Sequence, residues 1–185
     1  MKLSHLILSS ALALTSVATF AADYLTLQLK DGPVVIELDP TIAPQNVARI
    51  EALAKAGKYN NVAFHRVMDG FMAQTGDVQF GNLRTGFDAQ RVGTGGSDAA
   101  DLPAEFSNTP FERGTVGMAR SANPNSANSQ FFIMFAPGYF LNGQYTVVGK
   151  VVSGMEQIDK IKRGVGDSGA VTNPDRIVRA TVKKR

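Results

Sequence analysis

The sequence predicts a mainly β domain, closed by antiparallel strands and covered by two helices. Three observations carry that prediction: eight runs of strand character, only two stretches with helical spacing, and enough Val, Ile, Leu and Phe to fill an interior. Leu25, Leu27 and Leu29 alternate with Thr26 and Gln28, and the run 34–38 follows Asp31-Gly32-Pro33, so the domain opens as a β-hairpin. Pro44 suits the first turn of a helix in which Val47, Ile50, Leu53 and Ala54 share one face. Gly57 stands where a left-handed cap would end that helix. Further strands are predicted at 63–67, 71–74, 115–119, 131–135, 145–152 and 176–182, with a second helix over 155–162. Residues 76–110 are rich in Gly, Asp, Ser and Thr without periodicity and read as long surface loops. Composition does not choose between a barrel and a sandwich.

The chain has 185 residues. Lys2, an apolar run over 6–18 and the small-residue ending Thr19-Phe20-Ala21 read as a secretory signal peptide over 1–21, cleaved after Ala21. The alternative, a membrane anchor, needs about 20 apolar residues, and the run falls short. What remains, 22–185, has a length that suits one domain with a sizeable core. There is no cysteine, which excludes disulfides, thiol catalysis and cysteine-ligated zinc. The net charge of +3 includes Lys2, and the basic residues are dispersed apart from Lys183-Lys184-Arg185, so nucleic acid is not an expected partner. Gly164-Val165-Gly166-Asp167-Ser168-Gly169 satisfies the dinucleotide pattern, but it follows a helix instead of a strand and reads as a glycine-rich turn. With no P-loop, metal-ligand cluster or nucleophile elbow, no cofactor and no metal are expected.

The segment Phe64-His65-Arg66-Val67-Met68-Asp69-Gly70-Phe71-Met72-Ala73-Gln74-Thr75-Gly76-Asp77 sets an arginine and a glutamine beside a Phe-Met pair, on two runs joined by a tight turn. A second run, Ser126-Ala127-Asn128-Ser129-Gln130-Phe131-Phe132-Ile133, again follows an amide with two aromatics. Charged and amide donors beside apolar side chains suit a polar bond carried in an apolar ligand. In this order the motifs resemble the cyclophilin family of peptidyl-prolyl isomerases, a resemblance that spans residues 24–182. It implies a closed eight-stranded antiparallel barrel capped by two helices. It also implies proline-containing polypeptides as substrates, no cofactor, a monomer, and loops over 76–110 that frame a peptide groove.

Rotation about an X-Pro bond crosses a barrier of about 18–20 kcal/mol, because amide resonance is lost as the bond twists. The twisted prolyl nitrogen gains a lone pair, so a fixed cationic donor aimed at it stabilises only the transition state. Arg66 occupies the position of the family's catalytic arginine, against the alternative of an ordinary salt-bridged surface arginine. Phe71, Met72, Phe132 and Leu141 match the residues that line the family's proline pocket. Gln74 and Gln130 match its groove glutamines, while Ala119 and the main chain of Arg120 border the groove. Phe140 and Tyr145 stand where other members carry tryptophan and histidine, in the bacterial manner, and the missing indole N–H implies weak cyclosporin binding. The side chain of Arg120, where many relatives have asparagine, either alters substrate preference or simply faces solvent. His65 is read as a hydrogen-bonded structural residue pointing away from Arg66, not as a general acid. Together these imply an exported, monomeric, single-domain isomerase of the bacterial periplasm that speeds proline-limited folding of exported proteins; the rivals are a proline-segment binding module or holdase chaperone, and more remotely an envelope peptide hydrolase.

Overall fold

The computed structural model describes residues 23–184, so the segment read as a signal peptide lies outside the described residues. Strands β1 (Asp23–Leu29) and β2 (Gly32–Leu38) form the opening hairpin, with Leu25 opposite Ile36 and Leu27 opposite Val34. Their alternation buries Leu25, Leu27, Leu29, Val34, Ile36 and Leu38 on one face. Helix α1 (Pro44–Lys55) lays Val47, Ile50, Leu53 and Ala54 into the same core. Its own N-terminal flank supplies no side-chain cap. Instead the Glu105 carboxylate, brought in by the long loop, accepts from the N–H groups of Gln45 (3.1 Å) and Asn46 (3.0 Å) and from Asn46 Nδ2 (2.7 Å). At the other end Gly57 takes φ +69°, and Lys58 N–H reaches Leu53 O at 2.9 Å, a Schellman closure.

The remaining elements are β3 (Arg66–Met68), β4 (Met72–Thr75), β5 (Thr115–Met118), β6 (Phe131–Met134), a 3-10 turn (Tyr139–Leu141), β7 (Val147–Ser153), helix α2 (Met155–Asp159) and β8 (Arg179–Lys183). The eight strands form one antiparallel sheet in the order β3-β4-β6-β5-β7-β2-β1-β8. It does not close as expected: among the described residues β3 and β8 share no ladder, and it is the segments before them, 61–64 and 175–177, that meet, through an isolated bridge between Ala63 and Arg176 and a few backbone hydrogen bonds. The free edge of β3 is taken by the glycine-rich segment instead. Val67 N–H donates to Gly169 O and Gly164 N–H to Val67 O, each at 2.8 Å, while Val171 N–H reaches His65 O at 3.0 Å. The sheet is therefore an open, curled half-barrel whose last gap is plugged by loop backbone.

Two further expectations are shortened. Helix α2 ends at Asp159, not 162, because Lys162 N–H leaves the helix for the Asp175 carboxylate at 2.8 Å. Strand β7 begins at Val147, not 145, and the preceding turn carries Tyr145 out to the surface of the sheet.

Both faces of the central strands are apolar, which is why β5 and β6 are buried at every position. Val67, Ala73, Ile133 and Val116 face the main core between sheet and helices. Met72, Phe132 and Met134 face outward and join Phe111, Leu141 and Val147 in a second, smaller cluster. That outer cluster is the floor on which the site is built.

Glu105→Ala leaves the first N–H groups of α1 without an acceptor and is expected to cost about 1–2 kcal/mol, read as a lower urea midpoint. An unchanged midpoint would show that solvent replaces the carboxylate fully.

Candidate active site

Antiparallel register sets a row of directly opposed residues across the sheet: Arg66 opposite Gln74, Gln74 opposite Phe132, and Phe132 opposite Gly117. Opposed residues share a face, so this row and its neighbour, Met68–Met72–Met134, both project outward. Gly117 is required there by close approach. A Cβ at that position would lie 2.6 Å from both Phe111 and Phe132, whose rings stack at 5.7 Å.

Above this floor is a recess of about 290 Å³. Met72, Phe132 and Leu141 form its apolar base, and Phe71, Phe140 and Tyr145 stand around it. Tyr145 meets Phe132 edge-on at 5.8 Å, and Phe71 leans on Phe140 at 5.6 Å. Phe140 is 72% exposed, so its ring is a rim of the recess and not part of the core. Ala119, Arg120, Gln74 and Arg66 complete the wall. Ten of the eleven residues singled out from the sequence thus line one recess. Gln130 does not; it stands behind Gln74 and lines a larger neighbouring recess of about 720 Å³.

The Arg66 guanidinium is held by neutral acceptors. Nε donates to Ser168 O at 3.0 Å, Nη1 to Gln74 Oε1 at 3.4 Å and Nη2 to Met68 Sδ at 3.1 Å. None of the ion pairs among the described residues involves it. Nη1 also points at Met72 Sδ, 4.0 Å away, so the cation keeps its charge uncompensated beside an apolar recess, with one N–H unspent. Gln74 is oriented in turn: its Nε2 donates to Gln130 Oε1 at 3.0 Å, and Gln130 Nε2 donates to Gly95 O at 2.8 Å. The loop that carries Gly95 is tied down by Asp77, fully buried at the end of this relay. Its carboxylate accepts from Gly93 N–H (2.7 Å), Gly95 N–H (3.0 Å), Phe80 N–H (2.8 Å) and Gln79 N–H (3.1 Å).

His65 is buried beside this loop, with its ring 3.3 Å from where a Cβ on Gly93 would stand. The expectation that it is hydrogen-bonded is corrected, since both ring nitrogens are buried without a partner. Burial holds its imidazole below the usual histidine range, against the opposing pull of the Asp77 carboxylate. A neutral ring in this position packs as an aromatic wedge under the groove wall.

Three contributors escaped the sequence reading. Ser168 lies in the glycine-rich turn set aside as a decoy, yet its carbonyl holds the guanidinium. Met68 and Asp77 stand inside the quoted motif, but Met68 was read in the turn between two strands and Asp77 in a surface loop. The strict pairing of Arg66 with Gln74 is the signal that a hairpin register could have offered for Met68, which lies two residues further along the same face; nothing local points to Ser168, a hundred residues away.

An immobilised guanidinium thus stands on the wall of a small recess with an apolar base. The chain belongs to the family of cyclophilin type peptidyl-prolyl cis-trans isomerases, whose profile matches residues 24–182. It is an enzyme of that activity. A Brucella suis biovar 1 protein named "Probable peptidyl-prolyl cis-trans isomerase" is 64% identical over 178 residues, covering 94% of this chain and 91% of its relative. A peptidyl-prolyl cis-trans isomerase of Helicobacter pylori is 37% identical, covering 76% of this chain and 81% of the other. Among solved structures, a cyclophilin from Hirschia baltica superposes with a TM-score of 0.70 at 26% identity, over 85% of this chain and 73% of that one. A Cryptosporidium parvum cyclophilin type isomerase solved in the presence of the dipeptide Ala-Pro shares the fold, with a TM-score of 0.75 at 24% identity over 88% and 99% of the two chains.

The lowered His65 sets a pH dependence of stability. Below pH 6.5, the ordinary histidine value, the unfolded chain binds a proton that the folded chain resists, so stability is full above that pH and falls as the pH drops. Between pH 7.5 and 5.5 the urea midpoint of the wild type is expected to fall more than that of His65→Phe. Equal falls would show that the buried ring does not govern this window.

Proposed function

We propose that this isomerase acts without a covalent intermediate, seating the proline ring of its substrate in the smaller recess and using Arg66 as donor to the prolyl nitrogen of the twisted amide. The observation that carries the reading is the immobilised, charge-uncompensated guanidinium on the wall of an apolar recess. In the planar amide the nitrogen lone pair is delocalised and offers the donor little. As the bond twists the lone pair localises, and a donor already aimed at it stabilises that state without reorganising. Gln74 and Gln130 hold the arginine and meet the peptide backbone; Phe71, Met72, Phe132 and Leu141 enclose the ring; Ala119 and the Arg120 main chain border the extended segment; Phe140 and Tyr145 form the rim. The exposed Phe140 has no N–H to offer, which supports weak cyclosporin binding.

We further propose that the mature protein is a monomer exported to the periplasm, where it speeds proline-limited folding of other exported chains. The support is the character of residues 1–21 and the absence of cysteine. Unaided, such steps take tens of seconds.

In a protease-coupled assay with an Ala-Pro-Phe reporter, Arg66→Ala is expected to lower kcat/KM by about a hundredfold to a thousandfold, with an unchanged circular dichroism spectrum. No titrating group takes part, so wild-type kcat/KM is expected to be nearly flat from pH 6 to 8. An undiminished folded variant would assign the donor elsewhere, and a bell-shaped profile would point to proton transfer.

A further inference from the structure

The groove contains a second arginine that the rotation chemistry does not use. Arg120 follows β5, and its side chain is held at every nitrogen: Nε and Nη2 donate to Gln144 O at 3.1 and 2.7 Å, and Nη1 donates to Ser121 O at 2.9 Å. Its guanidinium carbon also lies 4.3 Å from the centre of the Tyr145 ring. All of these partners are neutral, and no ion pair among the described residues includes Arg120. A long side chain has been made rigid while its full charge is left for something else to meet.

Its position says what that something is. Arg120, Ala119 and Gln74 are the residues common to both recesses. A peptide whose proline ring fills the smaller recess and whose chain continues into the larger one passes over this shared wall. The smaller recess contains two arginines and no carboxylate. The larger contains one carboxylate, Asp101, already accepting from Asn128 Nδ2 at 2.9 Å. A rigid cation loses little conformational freedom when an anion arrives, so its charge converts efficiently into selectivity.

We propose that Arg120 makes the groove select proline segments that carry an acidic side chain in the stretch running from the smaller recess into the larger. This rests on the reading above that the proline occupies the smaller recess. The competing role is a purely structural strut, tying Ser121 to the Gln144–Tyr145 turn, which would be indifferent to the charge of the peptide.

The test uses blocked reporter peptides that differ only in having Glu, Gln or Lys next to the proline, on its N-terminal side in one set and its C-terminal side in the other. In one set wild type is expected to favour Glu over Lys by about threefold to tenfold in kcat/KM at low ionic strength, with a smaller ratio in high salt. Arg120→Gln brings that ratio close to one, Arg120→Glu inverts it, and Arg120→Lys keeps its direction. A flat series in both sets, or a Glu preference that survives in folded Arg120→Gln, overturns the proposal. The Gln peptides report the underlying reading separately. If folded wild type does not accelerate them, that reading fails, and the Glu-to-Lys ratio of dissociation constants, measured by calorimetry on the same peptides, decides the role of Arg120.

Discussion

The opposition of Arg66 to Gln74 across the β3–β4 hairpin is the contact on which the rest of the site depends. A strand exchanges its two faces when its register slips by one residue. In the observed register the core face receives Val67, Ala73 and Ile133, while the outer face receives Arg66, Gln74, Met72 and Phe132. A slip would bury the guanidinium in the main core and expose the apolar residues, so the energetics of folding and the placement of the cation are one requirement. Gly117 extends the same logic to the neighbouring strand, where only the absence of a side chain lets Phe111 and Phe132 stack as the floor.

The guanidinium is positioned by a relay whose members are individually weak but share an anchor. From Arg66 the chain of contacts runs through Gln74 and Gln130 to the carbonyl of Gly95, and ends at four N–H groups gathered by Asp77. Placing the one carboxylate at the far end matters. Beside Arg66 it would satisfy the cation and oppose its attraction to a developing lone pair; at the loop it organises backbone donors and leaves the arginine unspent. The Ser168 carbonyl serves the same end from the opposite side, since it fixes Nε without cancelling charge. The segment that supplies it also covers the edge of β3, so one glycine-rich loop both closes the sheet and steadies the donor.

Much of this was legible in the sequence for a definite reason. Short strands with alternating patterns reveal which residues share a face, and the motif around Arg66 and Gln74 spans a single hairpin, so its partners are near in sequence. The opening hairpin, helix α1 and its Gly57 cap follow from local rules in the same way. What depends on distant chain was not legible. Closure was expected from strand count, but the residues flanking β3 and β8 bridge only once, and the loop over 164–171 takes the edge instead. The cap of α1 by Glu105 spans about sixty residues and leaves no trace beside the helix. His65 was read as a hydrogen-bonded residue, yet it is buried beside the Gly93 loop with neither ring nitrogen satisfied, a packing set by chain about thirty residues away.

If a fixed donor recognises the twisted amide and not the planar one, then catalysis and ground-state binding must separate on removing it. Exchange spectroscopy by nuclear magnetic resonance on one proline peptide, with wild type and with Arg66→Ala, measures both in one sample. The predicted result is that the catalysed cis–trans exchange rate collapses by about a hundredfold or more, while the dissociation constant for the peptide shifts far less. A parallel loss of binding and exchange would contradict the account, since it would mean that Arg66 holds the substrate equally in both states and contributes nothing specific to the twisted one.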